Sequence, residues 1–258
     1  MAESPSTSPP RAALVTGASQ RIGRAIALRL ARDGYAVAIH AHRSHAKAEA
    51  LARALGGGAK AAVVGGDLAD AAALPKLVTS AVEAVGPLTL LVNNASLFEN
   101  DVFGSLDAAH FDRHVAVNLR APLLLAQAFA AQVPAGADAS IVNITDQRVM
   151  KPTPLLFSYA LSKGALAAAT VMMAQALAPK VRVNAVAPGP TLQSPRQNAA
   201  AFARQAAAVP LGHGVAPEEI ADAVLYLASA RSVTGTTLAV DSGQHVAWQT
   251  PDAWGIPE

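Results

Sequence analysis

The sequence predicts a single doubly wound α/β domain built on a parallel β-sheet. Short apolar segments of strand length alternate with longer segments of helical spacing, and this alternation is typical of successive βαβ units. The length of 258 residues suits one domain of this class. Because crossovers between parallel strands are right-handed, we expect helices on both faces of the sheet. Ligands of such a fold bind beyond the carboxyl ends of the strands.

Seven apolar segments have the length of strands. The first ends at Thr16-Gly17, and the fourth follows Gly86-Pro87. The predicted strands span residues 12–16, 36–39, 61–64, 88–92, 140–145, 181–187 and 237–240.

The segments between the strands show the apolar spacing of helices. In the first of them, Ile22, Ile26 and Leu30 recur at this spacing. Ser44 is an N-cap residue type for the second helix, and the glycine run that begins at Gly56 ends it. The predicted helices span residues 21–32, 45–55, 71–85, 106–133 with a break near Pro122, 156–177, 202–208 and 218–228.

The composition argues against several classes of function. A net charge of +2, with no basic run of five residues, is too small to indicate nucleic-acid binding. The chain has no cysteine, so it has no disulfide and no zinc–thiolate site, and no metal site is predicted. The longest uncharged run, 121–137, contains two prolines and is shorter than the ~20 apolar residues of a membrane span.

Residues 1–10 are rich in serine and proline and lack the basic start and apolar core of a signal peptide. They are predicted to form a disordered tail before one domain over residues 11–258. A soluble cytoplasmic protein is the expectation.

Residues 17–23 join the first strand to the first helix and have the glycine placement of a phosphate-binding loop. Gly17 permits a tight turn, Gly23 permits close packing of helix on strand, and the N–H groups at the helix start face a pyrophosphate. The middle glycine of the usual pattern is Arg21. The pattern alone is weak, and the alternative is a tight βα turn that binds nothing.

The end of the second strand favours NADP over NAD. An NAD-binding fold places an acidic residue here for the ribose 2′-hydroxyl, whereas this chain has His40, His42 and Arg43, followed by Ser44. A cationic cluster suits a 2′-phosphate, which the arginine guanidinium matches in geometry. The alternative is a solvated helix entrance.

Polar or small residues also follow the next two strands. Asp67-Leu68 follows the third, where a carboxylate can accept a hydrogen bond from an adenine amine. Asn93-Asn94-Ala95-Ser96 follows the fourth, where small residues let a cofactor approach the backbone. Each segment alone is more often a turn, but their positions at successive strand ends favour a site.

Tyr159 and Lys163 lie four residues apart on the predicted long helix and therefore share one face. A lysine beside a phenol lowers the pKa of the phenol, which makes tyrosine a usable acid or base. Asp146 lies just past a strand end, 13 residues before Tyr159. Taken separately, Tyr159, Lys163 and Asp146 are more often a core tyrosine, a solvated lysine and a loop cap. The phosphate loop upstream makes the catalytic interpretation the favoured one.

Together these motifs make the chain resemble the short-chain dehydrogenase/reductase family over about residues 11–242. The resemblance implies a Rossmann-type sheet of seven parallel strands and a homotetramer. It implies that Tyr159 is the general acid/base, that Lys163 holds the nicotinamide ribose and that Asn118 positions a water. The matching residues are Thr16, Gly17, Gly23, Asp67, Asn93, Asn94, Ala95, Asn118, Tyr159, Lys163, Asn184, Pro188, Gly189, Asp241, Ser242 and Gly243.

Two departures from the family pattern resemble pteridine reductases: Asp146 stands at the usual serine position, and Arg21 replaces the loop glycine. That resemblance implies that Phe98 stacks a pterin on the nicotinamide and that Ser96 hydrogen-bonds the ligand. The substrate residues are then Ser96, Phe98, Asp146 and Tyr159. The NADPH-binding residues are Gly17, Ser19, Arg21, Ile22, Gly23, His42, Arg43, Ser44, Asp67, Leu68, Asn94, Ala95, Ser96, Lys163, Pro188 and Gly189.

The sequence therefore predicts an NADPH-dependent reductase of a small pterin-type substrate. Asp146 can carry a proton to a ring nitrogen or hold Tyr159 in place, and the sequence does not decide between these roles. One alternative is a carbonyl reductase of the same family, acting on a ketone or a 3-oxoacyl thioester. Another is a non-catalytic NADPH-binding regulatory protein, against which the Tyr159–Lys163 pair counts. Residues 190–208 should cover the substrate.

Overall fold

The computed structural model of the chain describes residues 11–56, 60–194 and 196–249, so the predicted tail over 1–10 and the last residues of the predicted domain lie outside it. Within these residues, seven strands form one parallel sheet in the order β3-β2-β1-β4-β5-β6-β7, which confirms the predicted fold. The strands are β1 (Ala12–Val15), β2 (Ala36–Ala41), β3 (Ala61–Gly65), β4 (Leu90–Asn93), β5 (Ala139–Ile144), β6 (Val181–Pro188) and β7 (Thr237–Val240).

Helices connect the strands and cover both faces of the sheet. In the described part of the chain they are α1 (Arg21–Arg32), α2 (His45–Leu55), α3 (Leu74–Val85), α4 (Ala108–Val115), α5 (Ala121–Gln132), α6 (Phe157–Leu177), α7 (Ala199–Ala207) and α8 (Pro217–Ser229).

Alternate strand residues enter two separate cores. In β1, Ala13 and Val15 join the cluster under α1, α2 and α8, whereas Ala12 and Leu14 join the cluster under α3 and α5. All four side chains are fully or almost fully buried. This burial on both faces explains why the strand sequences are continuous apolar runs rather than alternating ones.

The order of the strands determines where a ligand can bind. β1 pairs with β2 on one side and with β4 on the other, so the chain changes direction of winding between β1 and β4. Connections that leave in opposite directions open a crevice at the carboxyl ends of these two strands. The predicted phosphate loop begins at this point.

Most observed elements begin or end within three residues of the predicted bounds, and two of the differences have a clear local cause. The fourth strand begins at Leu90 rather than Leu88, because the Gln132 side chain bonds both backbone groups of Leu88, at 3.0 and 2.9 Å. The predicted helix over 106–133 is interrupted by a π-helical turn over Ala116–Arg120, just before Pro122. Pro122 lies in the first turn of α5 and has no N–H to donate to the carbonyl groups of this preceding turn, which favours the widened π-helical geometry.

By length and composition, α6 could cross a membrane, since it has 21 residues and a mean hydropathy of 1.3. Its charged Lys163 interrupts the apolar run, so a search for uncharged segments does not find it. The helix packs along β6, and its Tyr159 and Lys163 side chains are buried in the protein. A third of the apolar window is buried inside the protein, and one such helix is weak evidence for a membrane span.

Candidate active site

The loops at the carboxyl ends of the strands enclose a cleft of about 1230 Å³. This exceeds the ~300–1,000 Å³ of a typical small-ligand pocket and leaves room for a dinucleotide beside a second small molecule. Among the residues assigned to the site from the sequence, Asn118 does not line the cleft. Those that do are Gly17, Ser19, Arg21, Ile22, Gly23, His42, Arg43, Ser44, Asp67, Leu68, Asn94, Ala95, Ser96, Phe98, Asp146, Tyr159, Lys163, Pro188 and Gly189.

Two residues of the phosphate loop have a left-handed backbone conformation. Gly17 has a φ of +63° and Arg21 a φ of +56°. Glycine adopts this conformation freely, whereas the arginine does so at a cost of roughly 1–2 kcal/mol. A Cβ at Gly23 would lie 2.4 Å from the Gly17 oxygen and 2.5 Å from Asn94 Nδ2. Residue 23 must therefore be glycine for α1 to approach the loop this closely.

Thr16 and Asn94 hold the loop against the end of β4. Thr16 Oγ1 accepts hydrogen bonds from the backbone N–H groups of Asn94 and Ala95, at 2.9 and 3.0 Å. Asn94 Nδ2 donates to the Thr16 and Gly17 carbonyl groups, at 2.8 and 3.3 Å. The amide nitrogen of Asn94 is therefore used inside the protein, where it supports the loop.

Arg21 reaches from the phosphate loop to the segment after β6. Its guanidinium donates to the carbonyl groups of Leu192 and Gln193, at 3.1 and 3.0 Å. A phosphate would have to replace these bonds, so in this geometry Arg21 connects two walls of the cleft. Within the same loop, Ser19 Oγ lies 2.6 Å from Ser44 Oγ, which ties the loop to the start of α2.

His40 does not belong to the cationic cluster that the sequence predicted. Its side chain is buried, Nδ1 accepts a bond from the Gly17 N–H at 3.2 Å, and Nε2 lies 3.1 Å from the Gly66 carbonyl oxygen. An imidazole that accepts at Nδ1 and donates at Nε2 is neutral. Burial lowers the pKa of His40, in agreement with this state. His40 is therefore a neutral side chain that connects the phosphate loop to the end of β3.

The positive charge near this end of the cleft comes from Arg43 and Lys47, which are exposed, and the exposed His42 lies beside them. Lys47 donates to Gln20 Oε1 at 2.8 Å. The Arg43 guanidinium makes no hydrogen bond to another described residue, so its donors face the cleft and solvent. Two cationic side chains and an imidazole around one opening suit a phosphate group.

The loops after β3 and β6 complete the cofactor side of the cleft. Asp67 Oδ1 accepts from the Ala69 N–H at 2.9 Å and lies 3.8 Å from His42 Nδ1. A Cβ on Gly189 would lie 2.6 Å from Asp241 Cα, so the chain after β6 approaches the chain after β7 too closely for a side chain.

Asp146 connects the end of β5 to Tyr159. The Tyr159 hydroxyl donates to Asp146 Oδ2 at 2.8 Å. Arg148 Nη1 lies 3.0 and 3.1 Å from the two Asp146 oxygens, and the Arg148 N–H donates to Oδ1 at 2.9 Å. The Asp146 carboxylate is therefore held between a guanidinium and a phenol.

The lowering of the Tyr159 pKa by Lys163 stays a prediction, because burial and Asp146 are the largest influences on that pKa in this structure. Burial raises the pKa of Tyr159 well above 10, and the nearby Asp146 carboxylate raises it further, while Arg148 lowers it. Lys163 Nζ lies 6.0 Å from the centre of the phenol ring and donates to the Ile144 carbonyl oxygen at 2.6 Å. Burial lowers the pKa of Lys163 itself from 10.5 to about 8.

The Asn118 side chain does not reach the cleft and is saturated by protein partners. Its Oδ1 accepts from the Leu97 N–H at 2.8 Å and from Ser96 Oγ at 3.2 Å. Its Nδ2 donates to the Leu97 carbonyl oxygen and to Ser162 Oγ, at 2.9 and 3.0 Å. The side chain therefore anchors the loop after β4, and the water-positioning role of Asn118 stays a prediction.

Phe98 forms part of the cleft wall beside Tyr159. The two rings meet edge to face, with centroids 4.7 Å apart. Arg196 lies over the Phe98 ring, 5.2 Å from its centre, and donates to the Phe98 carbonyl oxygen at 2.8 Å. Phe98 is half-buried and is therefore not the core residue that the alternative interpretation required.

Sequence inspection missed Lys47, Gln147, Arg148 and Arg196. Lys47 lies three residues after Ser44 in the first helical turn of α2, a spacing that the sequence shows. Arg148 follows Asp146 by two residues, but a loop has no fixed periodicity that would predict their contact. Arg196 meets Phe98 only through the tertiary fold.

Comparisons with known proteins agree with this geometry. A family model described as short chain dehydrogenase matches residues 11–203. An uncharacterised oxidoreductase of Methylorubrum extorquens is 37% identical over 244 residues, which cover 90% of this chain and 97% of the relative. An L-xylulose reductase of Mesocricetus auratus is 36% identical over 90% of this chain and 96% of its own.

A solved structure is also similar to the chain. The structure of FolM alternative dihydrofolate reductase 1 from Brucella canis, complexed with NADP, superimposes with a TM-score of 0.92. The two sequences are 48% identical, and the match covers 94% of this chain and 97% of the other.

Proposed function

The chain belongs to the short-chain dehydrogenase family, and within this family of oxidoreductases we propose that it is an NADPH-dependent reductase of a pterin-type substrate. The reaction would reduce a C=N bond of a dihydropterin or dihydrofolate to the tetrahydro form. The similarity to a solved alternative dihydrofolate reductase supports this class of substrate.

The cleft fits NADPH at three places. The N-cap residue of α1, Gln20, makes no capping hydrogen bond, so the first N–H groups of α1 can bind the pyrophosphate. Arg43 and His42 would hold the 2′-phosphate, and Lys163 would hold the nicotinamide ribose. When bound, NADPH supplies the hydride.

Tyr159 is the proposed proton donor. Its pKa is raised, so the hydroxyl keeps its proton at neutral pH, as a reduction requires. The O–H bond of Tyr159 breaks as an N–H bond forms on the ring nitrogen next to the carbon that receives hydride. The burial of the phenol excludes competing water from this proton.

The proposal of a pterin rather than a ketone as substrate rests on the Asp146 carboxylate. A ketone develops negative charge on its oxygen as hydride arrives, and a carboxylate beside that oxygen repels it. A pterin instead offers ring N–H and amino groups, which a carboxylate accepts. Because Arg148 pairs with both oxygens of Asp146, we favour an acceptor role for this carboxylate rather than the proton relay that the sequence left open.

The aromatic wall supports the same proposal. A flat heterocycle can stack on the half-buried ring of Phe98, which lies beside the Tyr159 hydroxyl that donates the proton. Ser96 is exposed at the start of the same loop and can bond a polar edge of the ligand.

The direct test is a substrate panel with NADPH. Dihydrobiopterin, dihydrofolate, a reactive ketone and an acetoacetyl thioester are compared by kcat/KM, with NADH as the second cofactor. We expect the highest value for a dihydropterin or dihydrofolate. A higher kcat/KM for the ketone or thioester would overturn the pterin proposal and leave a carbonyl reductase. No turnover of any substrate, with tight NADPH binding, would favour a binding protein instead.

The second candidate function is carbonyl reduction. The similarity to L-xylulose reductase supports it. The Tyr159–Lys163 pair of this chain supports it too, because a tyrosine hydroxyl can protonate a carbonyl oxygen as well as a nitrogen. The same substrate panel decides between the two candidates.

We also propose that the chain forms a homotetramer. Leu161, Val171 and Met172 on α6 are 44–67% exposed, which is unusual for large apolar side chains in the middle of a helix and supports a subunit contact. Light scattering on the purified protein tests this, and a monomer would contradict it. The cytoplasmic location stays a prediction.

A further inference from the structure

Arg148 is a partly buried cation at the end of β5 to which the family resemblance assigns no role. It lies in the short helical turn over Gln147–Val149, directly after Asp146. One guanidinium nitrogen lies within 3.1 Å of both carboxylate oxygens of Asp146. The exposed fractions of the two side chains are 20% and 13%, so water screens the pair only in part.

This ion pair continues to the reacting group. The same Asp146 carboxylate accepts the hydroxyl of Tyr159 at 2.8 Å. The chain of contacts therefore runs from the Arg148 guanidinium, through the carboxylate, to the phenol. Lys163, the other cation near the phenol, donates instead to the Ile144 carbonyl oxygen.

Stability alone does not explain a guanidinium in this place. Within the described part of the chain, the Arg148 side chain hydrogen-bonds only Asp146, and its buried Nε atom has no partner. A buried ion pair contributes little net stability, and an unpaired buried donor costs about 1–3 kcal/mol. An arrangement that stabilises the fold so poorly suggests a role in the reaction.

We propose, building on the proposed function, that Arg148 is a positioning residue of the proton transfer. It holds the Asp146 carboxylate in the orientation that receives the Tyr159 hydroxyl. It also supplies positive charge that stabilises the tyrosinate after the Tyr159 proton has passed to the substrate nitrogen.

The charged groups around Tyr159 are few in the described structure. Asp146 and Arg148 face it from the turn after β5, and Lys163 faces it from its own helix. Asp146 raises the pKa of Tyr159 and Arg148 lowers it. Replacing Arg148 with a neutral residue should therefore raise the pKa of Tyr159 and hold the proton more tightly.

The experiment compares Arg148→Leu, Arg148→Lys and wild type on the best substrate of the panel. We expect Arg148→Leu to lower kcat at least ~10-fold, at the weak end of acid–base effects, with KM for NADPH within about twofold. Arg148→Lys should recover most of the rate, because it keeps the charge.

Arg231→Leu is the matched control, because Arg231 is 83% exposed and lies beside Asp138, on β5's amino-terminal side. Unchanged kcat in Arg148→Leu would overturn the proposal. So would an equal loss of kcat in Arg148→Lys. If Arg148→Leu does not fold, Arg148→Gln replaces it, since glutamine keeps a donor but no charge.

Failure of the pterin proposal is visible separately. It appears as a wild-type preference for the ketone or thioester, whereas the Arg148 proposal is judged by differences between variants on whichever substrate reacts best. Tyr159 donates the proton in either reaction, so the comparison remains informative.

Discussion

The Tyr159 hydroxyl donates a 2.8 Å hydrogen bond to the carboxylate of Asp146. The contact joins the end of β5 to the buried face of α6. Because a carboxylate accepts but does not donate, the phenol must supply the proton in this bond. Burial, and after it the Asp146 carboxylate, raises the pKa of Tyr159, which keeps a proton donor available at neutral pH.

Replacing Asp146 should separate pterin reduction from carbonyl reduction. We expect Asp146→Ser to lower kcat/KM for a dihydropterin by at least ~10-fold, because the acceptor for ring N–H groups is lost. Activity on a reactive ketone should fall less or rise, since a serine hydroxyl donates to an oxygen that carries negative charge. Both values are measured across pH.

The outcome against this prediction is an Asp146→Ser enzyme with unchanged pterin reduction. Asp146 would then serve only as a cap, since its Oδ1 accepts the Arg148 N–H and serine is also a good cap. Asp138→Ser is a control, because Asp138 is an exposed carboxylate at the other end of β5.

Removing the phenol hydroxyl should abolish most turnover without loss of cofactor binding. Tyr159→Phe keeps the ring that contacts Phe98 but removes the proton, so we expect kcat to fall by ~10²–10⁴-fold. Lys163→Ala should weaken both turnover and NADPH binding, because Lys163 is assigned to both. Stopped-flow turnover and NADPH fluorescence titration measure the two effects, and near-normal turnover in Tyr159→Phe would contradict the assignment.

The charge at the end of β2 should decide the choice of cofactor. We expect clear preference for NADPH over NADH, and Arg43→Asp should narrow or invert it. A carboxylate repels the 2′-phosphate and can accept from an unmodified ribose. Arg53→Asp makes the same charge change on an exposed part of α2 and should leave the ratio unchanged. Equal kcat/KM for the two cofactors in wild type would refute this idea.

The neutral state of the buried His40 side chain predicts that the free energy of unfolding falls in acid. Burial lowers the pKa of His40 below its unfolded value near 6.5. The contribution of His40 to the free energy of unfolding is therefore fully present above about pH 6.5. It is lost as the pH falls through the folded pKa, because protonated Nδ1 can no longer accept the Gly17 N–H. The melting temperature and NADPH affinity should both decline as the pH falls below about 6.5.

His40→Asn removes the titrating imidazole, so the melting temperature and the NADPH affinity should fall less steeply as the pH is lowered. His114, another buried histidine whose pKa burial lowers, retains some of the decline. His213→Asn changes an exposed histidine and should keep the wild-type slope. An equally steep fall of the melting temperature in His40→Asn would show that the His40 hydrogen bonds do not control stability in acid.

Local pattern was enough to predict the architecture and the position of the cleft. Continuous apolar runs identify strands buried on both faces, and the observed bounds of α1 and β7 are the predicted ones. The four-residue spacing of Tyr159 and Lys163 places both on one face of α6, where both are buried. These features are set by periodicities of the backbone itself, so a single sequence carries them.

Partners and protonation states were decided by the tertiary structure. His40 and His42 are alike in sequence, yet only His40 is buried between Gly17 and Gly66 and therefore neutral. Asn118 has the expected residue type, but the π-helical turn directs its side chain to Ser96 and Leu97.

The sequence by itself determined the fold class, the strand-end loops and the residue types that line the cleft, because apolar spacing and glycine placement act locally. Only the tertiary structure decided which cation acts on Tyr159. Lys163 lies one helical turn away, but its ammonium is directed to Ile144, while Arg148 reaches the phenol through Asp146. The energy of a charge depends on its burial and on its distance from other charges, and neither quantity exists until the chain has folded.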